Sequence, residues 1–202
     1  MKKLLKISLI LSLSLSLMGC SMGQAKTEDI TDQAIIDQMN TIITDNVATY
    51  FQTEVSTDIP YEYSALKRFI GSPEDPKVEV HHANVFQASY NEKDATEGTL
   101  VGYGGILTPD NSDITGLIIN LAPAQDAKPQ AFSETDLVAK ATNFLSDFEL
   151  VPAGEEITFL EVNGKASSSA VSILNFETAS RMFAVGIDLY SGQAVYFEFI
   201  NK

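Results

Sequence analysis

Tryptophan is absent, cysteine occurs once and histidine twice in 202 residues. Each scarcity removes a class of chemistry. A single cysteine can close no internal disulfide and build no cysteine metal cluster. Without tryptophan, the ring best suited to stacking on sugars is missing. Basic residues are also few: 13 Lys and Arg face 27 Asp and Glu, for a net charge of −14. Such a surface repels nucleic acid and anionic headgroups, so no nucleic-acid partner is expected. It leaves room for a basic protein partner, for divalent cations or for plain solubility. No Gly-x-Ser-x-Gly elbow, Ser-x-x-Lys or His-Glu-x-x-His occurs, so the chain is expected to be no enzyme and to need no cofactor or metal.

What is present begins with ISLILSLSLSLMGCSMG, Ile7 to Gly23. By period alone this Ser–Leu alternation reads as a half-buried strand. Flank and length overrule that reading. Lys2, Lys3 and Lys6 form a positive start, and Ile7 to Met18 is an apolar run of twelve residues, short of the ~20 a spanning helix needs. The architecture is that of a secretory leader. Leu17-Met18-Gly19-Cys20 resembles the lipobox of bacterial lipoproteins. That resemblance implies removal of residues 1–19, lipidation of Cys20 and attachment to the outward, extracytoplasmic face of the cell membrane. More than one acyl chain is needed for stable anchoring. Without the three leader lysines the balance is ten basic against 27 acidic residues, a net charge of −17.

Residues 20–29 read as a flexible tether. Ile30 to about Thr53 carries Ile35, Met39, Ile42, Ile43, Val47, Tyr50 and Phe51 at three- and four-residue spacings. The spacing predicts an amphipathic helix, with Asp29, Thr31 and Asp32 supplying cap oxygens. Tyr61 to Ile70 reads as a second, shorter helix with Ala65, Leu66, Phe69 and Ile70 inward. After GSPEDPK the period becomes two: Val78–Tyr90, Thr99–Leu107 and Ile114–Leu121 are expected strands. Residues 125–131 lie in a Pro, Ala and Gln linker. The plan then repeats. Ser133 and Asp136 have capping-box spacing ahead of a helix with Leu137, Val138, Ala141, Phe144, Leu145 and Phe148 on one face. Strands are expected near Glu156–Val162, Ala170–Glu177, Arg181–Leu189 and Gln193–Ile200. Helices followed by runs of strands argue an α+β fold of two small units, 30–124 and 132–202, each a helix packed on a meander sheet.

The last hairpin fixes its own register. A three-residue Tyr190-Ser191-Gly192 loop pairs Ile187 with Val195, Val185 with Phe197 and Phe183 with Phe199, keeping the apolar faces together. It needs a left-handed residue at its end, which Gly192 supplies. The outer face then sets Gly186 opposite Tyr196. With its helix and preceding strands, VGIDLYSGQAVYFEF resembles the end of the PepSY-like modules of bacterial envelope proteins, Asp188 and Gly192 matching their strand–turn–strand. The resemblance covers roughly Phe132 to Lys202. It implies a small helix-on-sheet fold like that of cystatins. It also implies a binding or inhibitory role at the cell surface, sometimes against peptidases, with no chemistry of its own.

Few other residues invite a site. His81 and His82 are adjacent in a strand and point to opposite faces, so they share no metal; His82 is read as a hydrogen-bonded, half-buried histidine beside Val80 and Phe86. Gly102, Gly104 and Gly105 in VGYGGIL lack phosphate-loop spacing and offer at most the floor of an apolar ligand groove. Asp110, Asn111 and Asp113 read as a turn with local hydrogen bonds, and Glu155 with Glu156 as a solvated edge. The expected function is that of a non-catalytic envelope lipoprotein that binds or modulates another envelope protein. The alternative is a carrier of a small apolar ligand between helix and sheet.

Overall fold

The computed structural model describes residues 27–72, 75–87, 96–122, 127–163 and 170–202. In chain order the elements are β1 (Thr27–Asp29), α1 (Gln33–Phe51), β2 (Tyr61–Ser72), β3 (Asp75–Gln87), β4 (Leu100–Leu107), β5 (Ile114–Leu121), α2 (Glu134–Asp147), β6 (Thr158–Val162), β7 (Val171–Glu177), β8 (Arg181–Asp188) and β9 (Ala194–Asn201). The strands form one antiparallel sheet in the order β1-β2-β3-β4-β5-β9-β8-β7-β6. Helix plus antiparallel sheet is therefore the architecture, and the meanders of the two halves join through their last strands.

The two helices start as their caps dictate. The Asp32 carboxylate accepts from the Ala34 N–H and opens α1, while Gln52, left-handed at φ 51°, ends it. Ser133 and Asp136 form a reciprocal capping box at α2. Met39, Ile43 and Val47 are the buried stripe of α1; Leu137, Ala141, Phe144 and Leu145 are that of α2. Both stripes enter one hydrophobic core with Val85, Tyr103, Leu117, Leu174, Val185 and Phe197 from the sheet. Both helices thus cover the same face.

The join is marked by aromatic rings. Tyr50 packs edge-on against Phe197 at 5.0 Å and against Phe148 at 5.5 Å. Phe51 stacks on Phe144 at 5.9 Å, and Phe144 meets Phe197 at 5.8 Å. One residue of β9 therefore contacts both helices where β5 meets β9 through Leu117↔Phe197. Ring pairs of this kind contribute about 0.5–1.5 kcal/mol each beyond the area they bury.

Two expected segments change their secondary structure. Tyr61 to Ile70 is strand, within β2, and pairs with β3 along its whole length. Its apolar residues fit a helical spacing over ten residues, but Tyr61 and Ala65 enter the core on one side while Leu66 and Arg68 alternate to the other. Long-range pairing outweighs a helix too short to hold itself. Residues 27–29, expected to end the tether, are β1, which adds to β2 through Thr27↔Arg68, Glu28↔Lys67 and Asp29↔Leu66.

The last hairpin keeps its expected body: Phe183↔Phe199, Val185↔Phe197 and Gly186↔Tyr196. Nearer the turn it differs by one residue, for Ile187 lies opposite Ala194 across a register shift. The Gly192 N–H donates to the Asp188 carbonyl at 2.7 Å and the Asp188 N–H to the Gln193 carbonyl at 2.8 Å. The loop is therefore Leu189–Gly192, one residue longer than expected, and the shift at Val195 absorbs the difference. Gly192 has φ 74°, the left-handed conformation its place requires. The Asp188 carboxylate accepts from Ser191 N–H and Oγ–H at 2.9 and 2.6 Å, which closes the turn.

Candidate functional site: the open face of the sheet

Strand alternation sends every second side chain to the face opposite the helices. There β2 contributes Leu66 and Arg68; β3, Val80 and His82; β4, Ile106; β5, Gly116 and Ile118; and β9, Tyr196 and Glu198. Register aligns Leu66, His82, Ile106, Gly116 and Glu198 as one row across five strands. Arg68 lies one pair further along β2, diagonal to His82, a separation of about 7–8 Å that long side chains span. No helix of the described residues covers this face, yet Arg68, Tyr196 and Glu198 are only 8%, 5% and 7% exposed. Sheet side chains supply the cover, with Ile118, Val171, Ile173 and Ala184 packing around Tyr196.

Three ionisable groups are thus buried, and His82 is half-buried, on a face that strand pattern alone would assign to solvent. The Tyr196 hydroxyl donates to Glu198 Oε2 at 2.6 Å. Burial raises the Glu198 carboxyl, while the Tyr196 hydrogen bond and the Arg68 charge oppose that rise. Burial, and then the neighbouring Glu198, push the Tyr196 phenol well above its usual range. Burial lowers Arg68, and Glu198 works against it. His82 is pushed down to about 4, first by burial, then by the charges of Arg68 and His81, so it is neutral at physiological pH. Two of these groups leave a buried nitrogen without a hydrogen-bond partner: Arg68 Nε and His82 Nε2. Buried polar atoms are nearly always paired, so both nitrogens carry a desolvation cost that no hydrogen bond within the described residues offsets.

The expected site residues are distributed otherwise. Cys20 lies outside the described residues. Gly102, Gly104 and Gly105 are all buried, and alternation splits them between faces. A Cβ on Gly105 would stand 2.6 Å from Ile43 Cγ1, so this glycine is the notch that seats α1. Gly102 and Gly104 face the other way, beneath the Phe86 ring and beside Asn84 and Ile118. His81 and His82 do point apart, and His82 is half-buried as expected, but its Nε2 lacks the expected hydrogen bond. His81 Nδ1–H donates to Asn111 Oδ1 at 2.8 Å, whereas His82 Nε2 is unpaired. Asp110 accepts from the Thr108 and Ser112 hydroxyls at 2.7 and 2.8 Å, bonds that hold its carboxyl down to about 2. The turn reading of that loop stands. Glu155 accepts from the Ser180 N–H at 3.1 Å, tying the β6 approach to the β7–β8 turn. Among the described residues no group of three His, Cys, Asp or Glu could hold a metal ion.

Sequence reasoning missed Arg68, Tyr196 and Glu198 as a group. Arg68 was hidden by the helical reading of Tyr61–Ile70. The signal for Glu198 was in the alternation of VYFEF, which sets Tyr196 and Glu198 on one face, but that pattern is shared by solvated strands.

No family model matches the chain, and no curated protein matches it. Among solved structures, the chain is similar to the C-terminal domain of Bacillus megaterium YpeB at 13% identity and a TM-score of 0.45, over 85% of this chain and 63% of that one. The chain thus spans less than two thirds of the length of that structure. No helix of the described residues is long and apolar enough to cross a membrane.

Proposed function

We propose that this chain is a lipid-anchored, outward-facing protein of the cell envelope that binds or modulates another envelope protein and performs no chemistry. The anchor rests on Lys2, Lys3, Lys6, the twelve-residue apolar run and Cys20. The binding role rests on one observation: α1 and α2 share a face, so the opposite face of a nine-stranded sheet has no helix over it in the described residues. Such a face offers a partner a broad surface already ordered before contact, which lowers the cost of association. The PepSY-like reading of the C-terminal half, with Asp188 and Gly192 in its turn, agrees with a binding role. The carrier reading draws less support, because Ile43 fills the notch above Gly105.

Replacing Cys20→Ala should move the protein from the membrane fraction to the soluble one. A chain that stays membrane-bound and uncleaved would contradict the anchor. In-cell crosslinking with mass spectrometry should return a reproducible protein partner. A reproducible small-molecule ligand with no protein partner would overturn the binding role.

A further inference from the structure

β6 closes one end of the sheet, and among the described residues it pairs on one side only, with β7. Its outer edge therefore presents backbone N–H and C=O groups with no ladder partner there. The opposite edge, β1, is three residues long, wholly exposed and entered by the N-terminal segment. β6 has five residues and is more apolar. Phe159 and Val162 pack on the core, with Phe159 against Phe176 at 5.6 Å. Leu160 is the extra residue of a bulge between Phe159 and Glu161, and it is 42% exposed. Glu161 accepts from Asn175 Nδ2 at 3.5 Å, on the face away from the helices. An apolar, exposed edge of this kind is a template for a further strand.

Charge decides which strand. Residues 142–180 hold six acidic residues and one lysine. Glu177 is met by Lys202 Nζ at 2.7 Å, and Glu155 by the Ser180 N–H at 3.1 Å. Glu156 and Glu161 are exposed, and among the described residues neither meets a cation. They bracket Thr158–Leu160 in the chain. A second copy laid along β6 would set these acids against their own kind, which is unfavourable across a strand pair. The acids that oppose self-pairing attract a segment with Lys or Arg at alternate positions. We propose that β6 is the docking edge for an extended, basic segment of a partner protein, which adds to the nine-stranded sheet as a further strand, its basic side chains beside Glu156 and Glu161 and an apolar one beside Leu160. Main-chain bonds supply the pairing, and the acids supply the choice of partner. This inference rests on the protein-binding role proposed above and names the chemistry of the partner.

The test is a titration of the purified full chain with the end-blocked peptide Lys-Val-Lys-Val-Lys-Val, read on backbone amide resonances and hydrogen exchange. The expected result is a saturable shift centred on Thr158–Val162, with exchange slowed there. Glu-Val-Glu-Val-Glu-Val should bind at least about tenfold more weakly. The Lys-Val peptide methylated at every backbone nitrogen keeps its side chains and charge but cannot donate to a ladder, and should bind several-fold more weakly. Glu156→Lys combined with Glu161→Lys should reverse the preference between the two unmethylated peptides. Should that variant not fold, the comparison of peptides on the unaltered chain still decides. An absent or unsaturable shift, or shifts elsewhere with none in β6, overturns the docking edge. Methylated peptide binding as tightly as its parent overturns strand addition, and the Glu-Val peptide binding as tightly overturns the basic class. Failure on the purified chain removes β6 as the docking edge, whereas failure to capture any protein in the envelope removes the binding role itself.

Discussion

The two faces of this sheet solve burial in opposite ways. On the covered face, Phe197, Val185, Leu174 and Leu117 meet apolar side chains of α1 and α2, and almost nothing polar needs a partner. On the open face, Arg68, Tyr196 and Glu198 are buried and His82 is half-buried with no helix of the described residues over them, and two of their nitrogens have no hydrogen-bond partner. The first face is built for stability, since apolar area removed from water is its own reward of ~25 cal/mol per Å². The second accepts a desolvation cost that apolar residues would have avoided. A chain keeps such a cost where the groups have a use, and the difference between the faces is the reason to look for function on the open one.

The largest expected effect tests the covered face. Phe197→Ala removes the ring that meets Tyr50, Phe51 and Phe144. It should cost about 3–5 kcal/mol in denaturant unfolding. Because the core of both halves is continuous, both should be weakened in one transition; a loss below 1 kcal/mol would break the picture of a shared core.

The next effect tests the open face. Glu198→Leu leaves Arg68 buried without its counter-charge and the Tyr196 hydroxyl without an acceptor, at a cost of about 3 kcal/mol. Arg68→Met should cost less, since the Glu198 carboxyl, already raised, then takes a proton. The double variant should lie near wild type, with an interaction energy of at least about 1 kcal/mol. Additive losses would mean that the two charges do not depend on each other.

The smallest effect is a pH dependence. His82 has a folded pKa of about 4, below the ~6.5 of an unfolded chain. Between those values the unfolded state binds the extra proton, so stability falls as pH drops from about 6.5 to 4, by on the order of 2 kcal/mol. Glu198 runs the other way, because its raised carboxyl favours the folded state at low pH. The difference between wild type and His82→Gln isolates the histidine. Urea midpoints from pH 7 to 4 should converge toward the acid end, with the variant losing less.

Much of the covered face was legible from sequence. The stripes of α1 and α2, the Ser133 capping box and the pairing of Phe183 with Phe199 and Val185 with Phe197 all follow from period and register, because one buried face specifies both strongly. The rest was not legible for two physical reasons. Tyr61–Ile70 satisfies both helical and strand spacing over so short a run, and only pairing with β3 decides it. The join of β5 to β9 is a contact between residues 80 apart in the chain, which local pattern does not encode. With β2 misread and that join unseen, Arg68 and Glu198 could not be placed on a common face.

The measurement that bears most directly on the contrast between faces is site-specific photocrosslinking in the native envelope. Met182 is 44% exposed on the open face of β8, and Thr41 is exposed on the outer side of α1. A probe at Met182 should capture a defined protein partner while a probe at Thr41 captures none. Capture from Thr41 and not from Met182 would contradict the assignment of the open face as the working surface.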